Sequence, residues 1–180
     1  MKATGIVRRI DELGRIVIPK EIRRTLRIRE GDPLEIYTDR EGGIILKKYS
    51  PIGELAAFAL DFAEALSSTL GLTTIICDRD TVLAAGGEYK RDYFERPVSS
   101  ALEDSMNARL VMRKEGTNTI PLVSGEDQSL TTSQVIAPIS MDGQPIGAIA
   151  VLSRNGSVIG EAEQKAAEAA AAFLGRQMEQ

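Results

Sequence analysis

The sequence contains no histidine and no tryptophan, one cysteine (Cys77), and only four tyrosines and four phenylalanines in 180 residues. Each shortage removes a class of function. Without histidine the chain lacks the commonest acid-base group near neutral pH and the commonest ligand of haem and mononuclear metal sites. A single cysteine forbids an intrachain disulfide and a cysteine-based metal site, and it fits a reducing compartment. Because Cys77 follows Ile75 and Ile76 in an apolar run, it reads as an ordinary core residue. No apolar stretch reaches the roughly 18 residues that span a bilayer. Near the N-terminus Arg8, Arg9, Asp11 and Glu12 interrupt any signal-peptide core. The expectation is a cytoplasmic chain without a membrane span. Catalytic signals are missing too. "GGEYK" lacks the spacing of a phosphate-cradling loop, and no serine sits in a nucleophile elbow. Asp78 and Asp80, with Glu103 or Asp104 as further acids, read as turn residues beside Arg79. Neither an enzyme nor a cofactor is expected.

What the chain does have is an uneven charge. The overall balance is −4, yet residues 1–50 carry 12 Lys and Arg against 8 Asp and Glu, net +4, and residues 51–180 carry 10 against 18, net −8. Arg15, Lys20, Arg23, Arg24 and Arg27 fall within 13 residues. A basic head on an acidic body points to a polyanionic partner for the head alone. A charged run is more often a plain solvated face, and on charge alone the two accounts stay level. Glu12 and Glu21 are candidates to pair with an arginine and orient it, and Asp11 to cap a turn.

The break falls near Ser50-Pro51, giving domains of 1–50 and 51–180. In the head, "TGIVRRI" (Thr4–Ile10) and "RIVIP" (Arg15–Pro19) read as strands around a "DELG" turn. "PKEIRRTLRI" opens a short helix with proline at a first helical position, Ile22 and Leu26 on one face, and Gly31 ending the segment. "PLEIYTD" and "GGIILKKY" form a hairpin turning at Gly42-Gly43. So few apolar residues make a poor solitary core, which predicts that the head folds as part of a dimer.

The body opens with a helix whose stripe is Ile52, Leu55, Phe58 or Ala59, Phe62, Leu66 and Leu70, stopped by Gly71. Strands follow at Thr73–Asp78 and in "TVLAAGG". A helix capped at Ser99 or Ser100 comes next, then two strands, "SQVIAPIS" and "QPIGAIAVLS", joined at Asp142-Gly143. The last helix is alanine-rich, with Ala162, Ala166, Ala169, Phe173 and Met178 as its apolar face. The body is therefore expected to be α+β, a central antiparallel sheet flanked by helices.

"TGIVRRIDELGRIVIPKEIRRTLRIREGDPLEI" followed by "ILKKY" resembles the swapped-hairpin DNA-binding domain of the AbrB family of bacterial transition-state regulators, an all-β fold with one short helix that is shared with MazE-like antitoxins. The body resembles a GAF domain, and the combination resembles the sporulation regulators with that head. The resemblance implies a homodimer of interleaved heads and a tetramer through paired GAF domains. It implies double-stranded DNA as partner, a place on the nucleoid, and both activation and repression of late sporulation genes. Carried over residue by residue, the DNA-binding positions are Arg8 and Arg9 at the end of the first strand, Arg15 after the "ELG" turn, Arg23 and Arg24 in the helix, and, less firmly tied to the family pattern, Lys20. GAF domains often hold a small molecule against the sheet and under a helix. That implies a sensed ligand or a purely dimerising body, with Cys77, Asp78, Arg79 and the 86–113 segment as pocket candidates. With no long recognition helix, specificity from a few arginines and from groove shape is the expectation. The remaining alternative is an antitoxin, which works through an extended C-terminal tail rather than a folded body.

Overall fold

The structure is a computed structural model that describes residues 5–54 and 56–179, so Thr4 and Leu55 of the expected elements lie outside the described residues. The chain divides into two compact units between Tyr49 and Ser50.

In the first unit, Asp11 to Arg15 form a tight turn closed by the Arg15 carbonyl accepting from the Asp11 N–H, with Gly14 at φ +76. The expected strands on either side of this turn are not strands within one chain. Their apolar side chains find no counter-surface, so no ladder forms: Val7 is 86% exposed and Val17 72%. Helix α1 (Lys20–Thr25) is preceded by Pro19 at φ −56, ψ 146, so the proline caps the helix instead of starting it. It also ends earlier than Gly31, because Arg27 turns into the left-handed region at φ +52. Strands β1 (Leu34–Thr38) and β2 (Ile44–Lys48) pair antiparallel from Leu34↔Lys48 to Thr38↔Ile44. The Asp39 carboxylate tightens their turn by accepting from the N–H groups of Glu41 and Gly43. Among the described residues of this unit only Pro19 is fully buried.

The second unit has a real core. Helices α2 (Pro51–Glu54) and α3 (Ala56–Leu70) lead into strands β3 (Thr73–Asp78) and β4 (Val82–Gly86). Helix α4 (Ser100–Asn107), strands β5 (Met112–Glu115), β6 (Ser133–Met141) and β7 (Gln144–Ser153), and helix α5 (Glu161–Met178) follow. The sheet order is β4-β3-β7-β6-β5, with every neighbour antiparallel. Asp142 at φ +50 and Gly143 at φ +73 make the β6–β7 turn, a conformation that Asp-Gly adopts readily. Ser99 caps α4 by accepting from the Leu102 N–H at 3.0 Å.

Side chains alternate between two cores. Ile76, Val135, Ala137, Ile149 and Val151 face α3 and α5. Ile75, Cys77, Ile136, Ala150 and Leu152 face Tyr93, Val98, Leu102, Met106 and Leu122. Of the expected first stripe, Ile52 and Ala59 are buried and Phe62, Leu66 and Leu70 pack partly buried against the core, but the deepest contacts of α3 and α5 fall on smaller neighbouring residues. Ala59, Ala63 and Ser67 of α3 are buried, while Phe58 remains 41% exposed. Ala167, Ala170, Ala171, Leu174 and Gly175 of α5 are buried, and Ala162, Ala169 and Phe173 are not. Close approach explains the choice. A Cβ on Gly86 would lie 2.5 Å from the Ala63 carbonyl oxygen, and one on Gly175 2.3 Å from that of Ser140. Only small side chains fit at such contacts, so the larger ones rotate outward.

Alanine is worth about 1 kcal/mol more than glycine inside a helix, but forcing an atom against a backbone carbonyl costs about 1–3 kcal/mol or more. Gly175→Ala is therefore expected to destabilise the protein by up to about 2 kcal/mol in urea unfolding; a gain in stability would mean that the α5–β6 approach is looser than described.

Candidate nucleic-acid interface

The six basic residues fall into two groups. Lys20, Arg23 and Arg24 lie on α1 at positions i, i+3 and i+4, so their side chains leave adjacent points of one helix surface. Arg8 and Arg9 lead into the turn whose exit is Arg15. Arg8, Arg9, Arg15, Lys20 and Arg24 are exposed; Arg23 is half-buried, and its Nε finds no acceptor within the described residues.

Among the described residues only Arg15 of these cations is matched by an acid. Arg15 Nε lies 2.7 Å from Asp11 Oδ2, while Asp11 Oδ1 accepts from the Leu13 and Arg15 N–H groups. The Arg15 N–H, then the Arg15 side chain, hold the Asp11 carboxyl below its ordinary value. Asp11 thus caps the turn and orients the arginine. Neither Glu12 nor Glu21 forms an ion pair among the described residues. The pair is well exposed and screened by solvent, so it leaves Arg15 available to a phosphate.

In the body, Cys77, Asp78 and Arg79, expected to line a pocket, make structural contacts instead, whereas Gly87, Glu88 and Tyr89 of the 86–113 segment do line a cleft. Cys77 is 1% exposed, its thiol donates to the Ala148 carbonyl at 3.6 Å, and burial pushes it up to about 12. Asp78 accepts from the N–H groups of Asp80 and Thr81 and so closes a turn, which also accounts for the neighbouring acids. Arg79 donates to the Asn107 side chain at 2.9 Å and to the Pro145 carbonyl at 3.3 Å. The space between sheet and α4 is filled by Tyr93, Leu102, Met106 and Leu122, each fully buried.

Sequence reasoning missed the role of Arg154 and placed the cleft only through the 86–113 segment. Arg154 is nine-tenths buried between Tyr89 and Tyr93, 4.9 and 5.1 Å from their ring centres, and reaches Asp92 at 2.6 Å and the Tyr93 hydroxyl at 2.7 Å. The same hydroxyl donates to Glu126, whose other oxygen accepts from the Leu122 and Val123 N–H groups. Next to this cluster a cleft of about 300 Å³ is lined by Ser67, Thr73, Gly87, Tyr89, Arg154 and Asn155, among others. The dense charge and aromatics of "EYKRDYFER" were the one local signal for it. Among the described residues no helix is long and apolar enough to cross a membrane.

Comparison with known proteins decides the family. Residues 54–179 match the family described as stage V sporulation protein T C-terminal, transcription factor. Stage V sporulation protein T of Bacillus subtilis is 54% identical over 100% of both chains. The chain belongs to the stage V sporulation protein T family. Residues 7–54 also match the family described as antidote-toxin recognition MazE, bacterial antitoxin. The transition state regulatory protein AbrB of Bacillus subtilis is 71% identical over 51 residues, which is 28% of this chain and 52% of that protein. The blue-light absorbing GAF domain of PixJ from Thermosynechococcus elongatus superimposes with a TM-score of 0.57 at 11% identity, covering 73% of this chain and 89% of that one. The body accordingly has the GAF fold, behind an AbrB-like head. The family is one of transcription factors and not of enzymes.

Burial both shields the Cys77 thiol and raises it well above its ordinary value, so little of it is thiolate at pH 8. Native protein should leave a thiol reagent essentially unreacted at that pH, and urea-unfolded protein should react at one thiol per chain; fast native labelling would place Cys77 at an accessible site.

Proposed function

We propose that this chain is a DNA-binding transcription regulator of late sporulation genes, both activator and repressor, that acts as a homo-oligomer on the nucleoid. Residues 1–50 are its DNA-binding head and residues 51–180 its GAF body. Arg8, Arg9, Arg15, Lys20, Arg23 and Arg24 contact DNA. One observation carries the reading: among its described residues the head buries a single side chain, Pro19, while it displays these cations with only Arg15 answered by an acid. A surface made for mere solubility mixes both signs; this one concentrates one sign beside exposed Val7, Ile10, Ile16 and Val17. Those apolar side chains call for a second head, and pairing doubles every cation.

Arginine suits the contact because its planar fork, always charged, grips a phosphate or the acceptor edge of guanine with two parallel donors. Phosphate contacts give affinity and position, and base edges or groove shape select the site. The AbrB-like head supports this reading, since its 71% identity spans the cationic segments. The antitoxin reading draws on the same head, but here a folded GAF body follows instead of an extended tail.

The tetramer is assigned to the outer surface of α3 and α5. Phe58, Phe62 and Phe173 stack there with ring centres 5.8–6.0 Å apart, and Phe58, Leu60 and Phe173 stay about 40% exposed. A small-molecule ligand is assigned to the cleft beside Arg154, because the space under α4 is filled by side chains.

Anisotropy with duplex DNA across a salt series tests the first reading. With about 8 phosphates neutralised per dimer, log affinity should fall against log salt with a slope near −7. Arg24→Ala should weaken binding about tenfold and flatten the slope by about 2, one unit for each copy; an unchanged affinity would remove Arg24 from the interface. For the assembly, light scattering should give the mass of four chains for the native protein and of two for Phe58→Arg. A tetramer that survives Phe58→Arg would place the body interface elsewhere. Tyr89→Ala should abolish any metabolite-induced rise in melting temperature, and a shift that persists would exclude the cleft.

A further inference from the structure

Helix α1 is too short to hold itself. It has six residues, buries none of them, and ends at an arginine in the left-handed region. A helix of that length is unstable unless something outside it fixes its ends. At the N-terminal end Pro19 restricts the backbone. At the C-terminal end the Ile28 N–H donates to the Arg23 carbonyl at 2.7 Å, and the remaining support comes from far along the chain. The Lys48 ammonium, at the end of β2, donates to the Arg27 carbonyl at 2.9 Å and meets Asp32 Oδ2 at 3.1 Å. Asp32 Oδ2 also accepts from the Arg29 N–H at 2.8 Å, and the Tyr49 N–H donates to the Pro33 carbonyl at 3.0 Å. The last residues of the head thus hold the loop that stops α1.

This pair differs from the rest of the head's charges. The Lys48 side chain is 25% exposed and that of Asp32 13%, against 70% and 42% for Arg15 and Asp11. Burial alone would raise the Asp32 carboxyl, but the Arg29 N–H and Lys48 outweigh it and hold it below its ordinary value. The Asp32 carboxylate is thus held ionised beside an ammonium that is turned inward, with both side chains largely away from solvent.

We infer that Lys48 and Asp32 are positioning residues for DNA binding: their ion pair braces the end of α1 and so aims Arg23 and Arg24, and Lys48 is not itself a phosphate contact. The inference rests on the head being the DNA-binding surface. It also makes a prediction that charge counting cannot make. If only the sum of charges mattered, removing Asp32 would tighten binding to a polyanion and removing Lys48 would weaken it. A brace predicts that both weaken it.

The experiment measures duplex affinity across a salt series for the full-length protein, Lys48→Gln, Asp32→Asn, the double variant and Lys48→Arg. Both single variants should lose about tenfold, within the range found inside one ion-pair network, and the double variant should be no worse than the weaker single. The salt slope should stay as in the native protein, whereas losing a phosphate contact in each of two heads would flatten it by about 2. Lys48→Arg, which keeps donor and charge, should bind within about twofold of native, as a retained brace requires. Tighter binding by Asp32→Asn, a flattened slope for Lys48→Gln, or additive losses in the double variant overturns the brace. So does loss of the native oligomer mass or helical signal in the single variants, because the pair then serves folding and not aim. If the native protein itself shows no salt-dependent binding, the DNA reading fails first, and the two failures are told apart by that one control.

Discussion

The apolar side chains of the N-terminal head have no interior to enter within one chain, and most of the molecule's design follows from that. Ile6, Val7, Ile10, Ile16, Val17, Leu26, Ile36 and Leu46 are all exposed. A small domain can answer such a shortage with a disulfide, a metal or a second copy of itself. The lone buried cysteine, far along the body, and the missing histidines leave self-association. Association also serves function, because it multiplies the cations and spreads them over a footprint large enough for a duplex. Burial of these side chains and the gathering of the head's cations would then come from one event.

The body solves the opposite problem. Its sheet is covered on both faces, and α3 and α5 come so close that alanine and glycine form the contact. Close backbone approach leaves the phenylalanines of both helices on the outside, where they stack on one another. On the other face large side chains fill the space under α4. The cluster around Arg154 ties the loop after β4, the loop carrying Glu126 and the end of β7 together. A buried guanidinium between two tyrosines and two carboxylates stays well matched, whereas removing one partner would leave a charge stranded.

Local chemistry was legible from the sequence, and contacts between distant segments were not. The turns at Gly42-Gly43 and Asp142-Gly143, the Ser99 cap and the strands from β3 to β7 apart from β5 all carry their own signals. Strand β5 reads "MRKE", too polar to announce itself, and exists because β6 offers it a ladder. The α3 stripe was legible, with Ala59, Phe62, Leu66 and Leu70 against the core, but the smallness demanded at Ala63 and Gly175 was not, because apolar periodicity rewards bulk. The first two strands of the head have the right residues and no partner within one chain. Of the interface, the cations were visible as composition and as motif. The Asp11–Arg15 pair was only half anticipated, and the contact of Lys48 with Asp32 and Arg27 joins segments that no local pattern connects.

A head whose apolar side chains are sheltered only between two chains cannot trade partners freely. Exchange requires the shared interior to open, so its rate is governed by unfolding and not by diffusion.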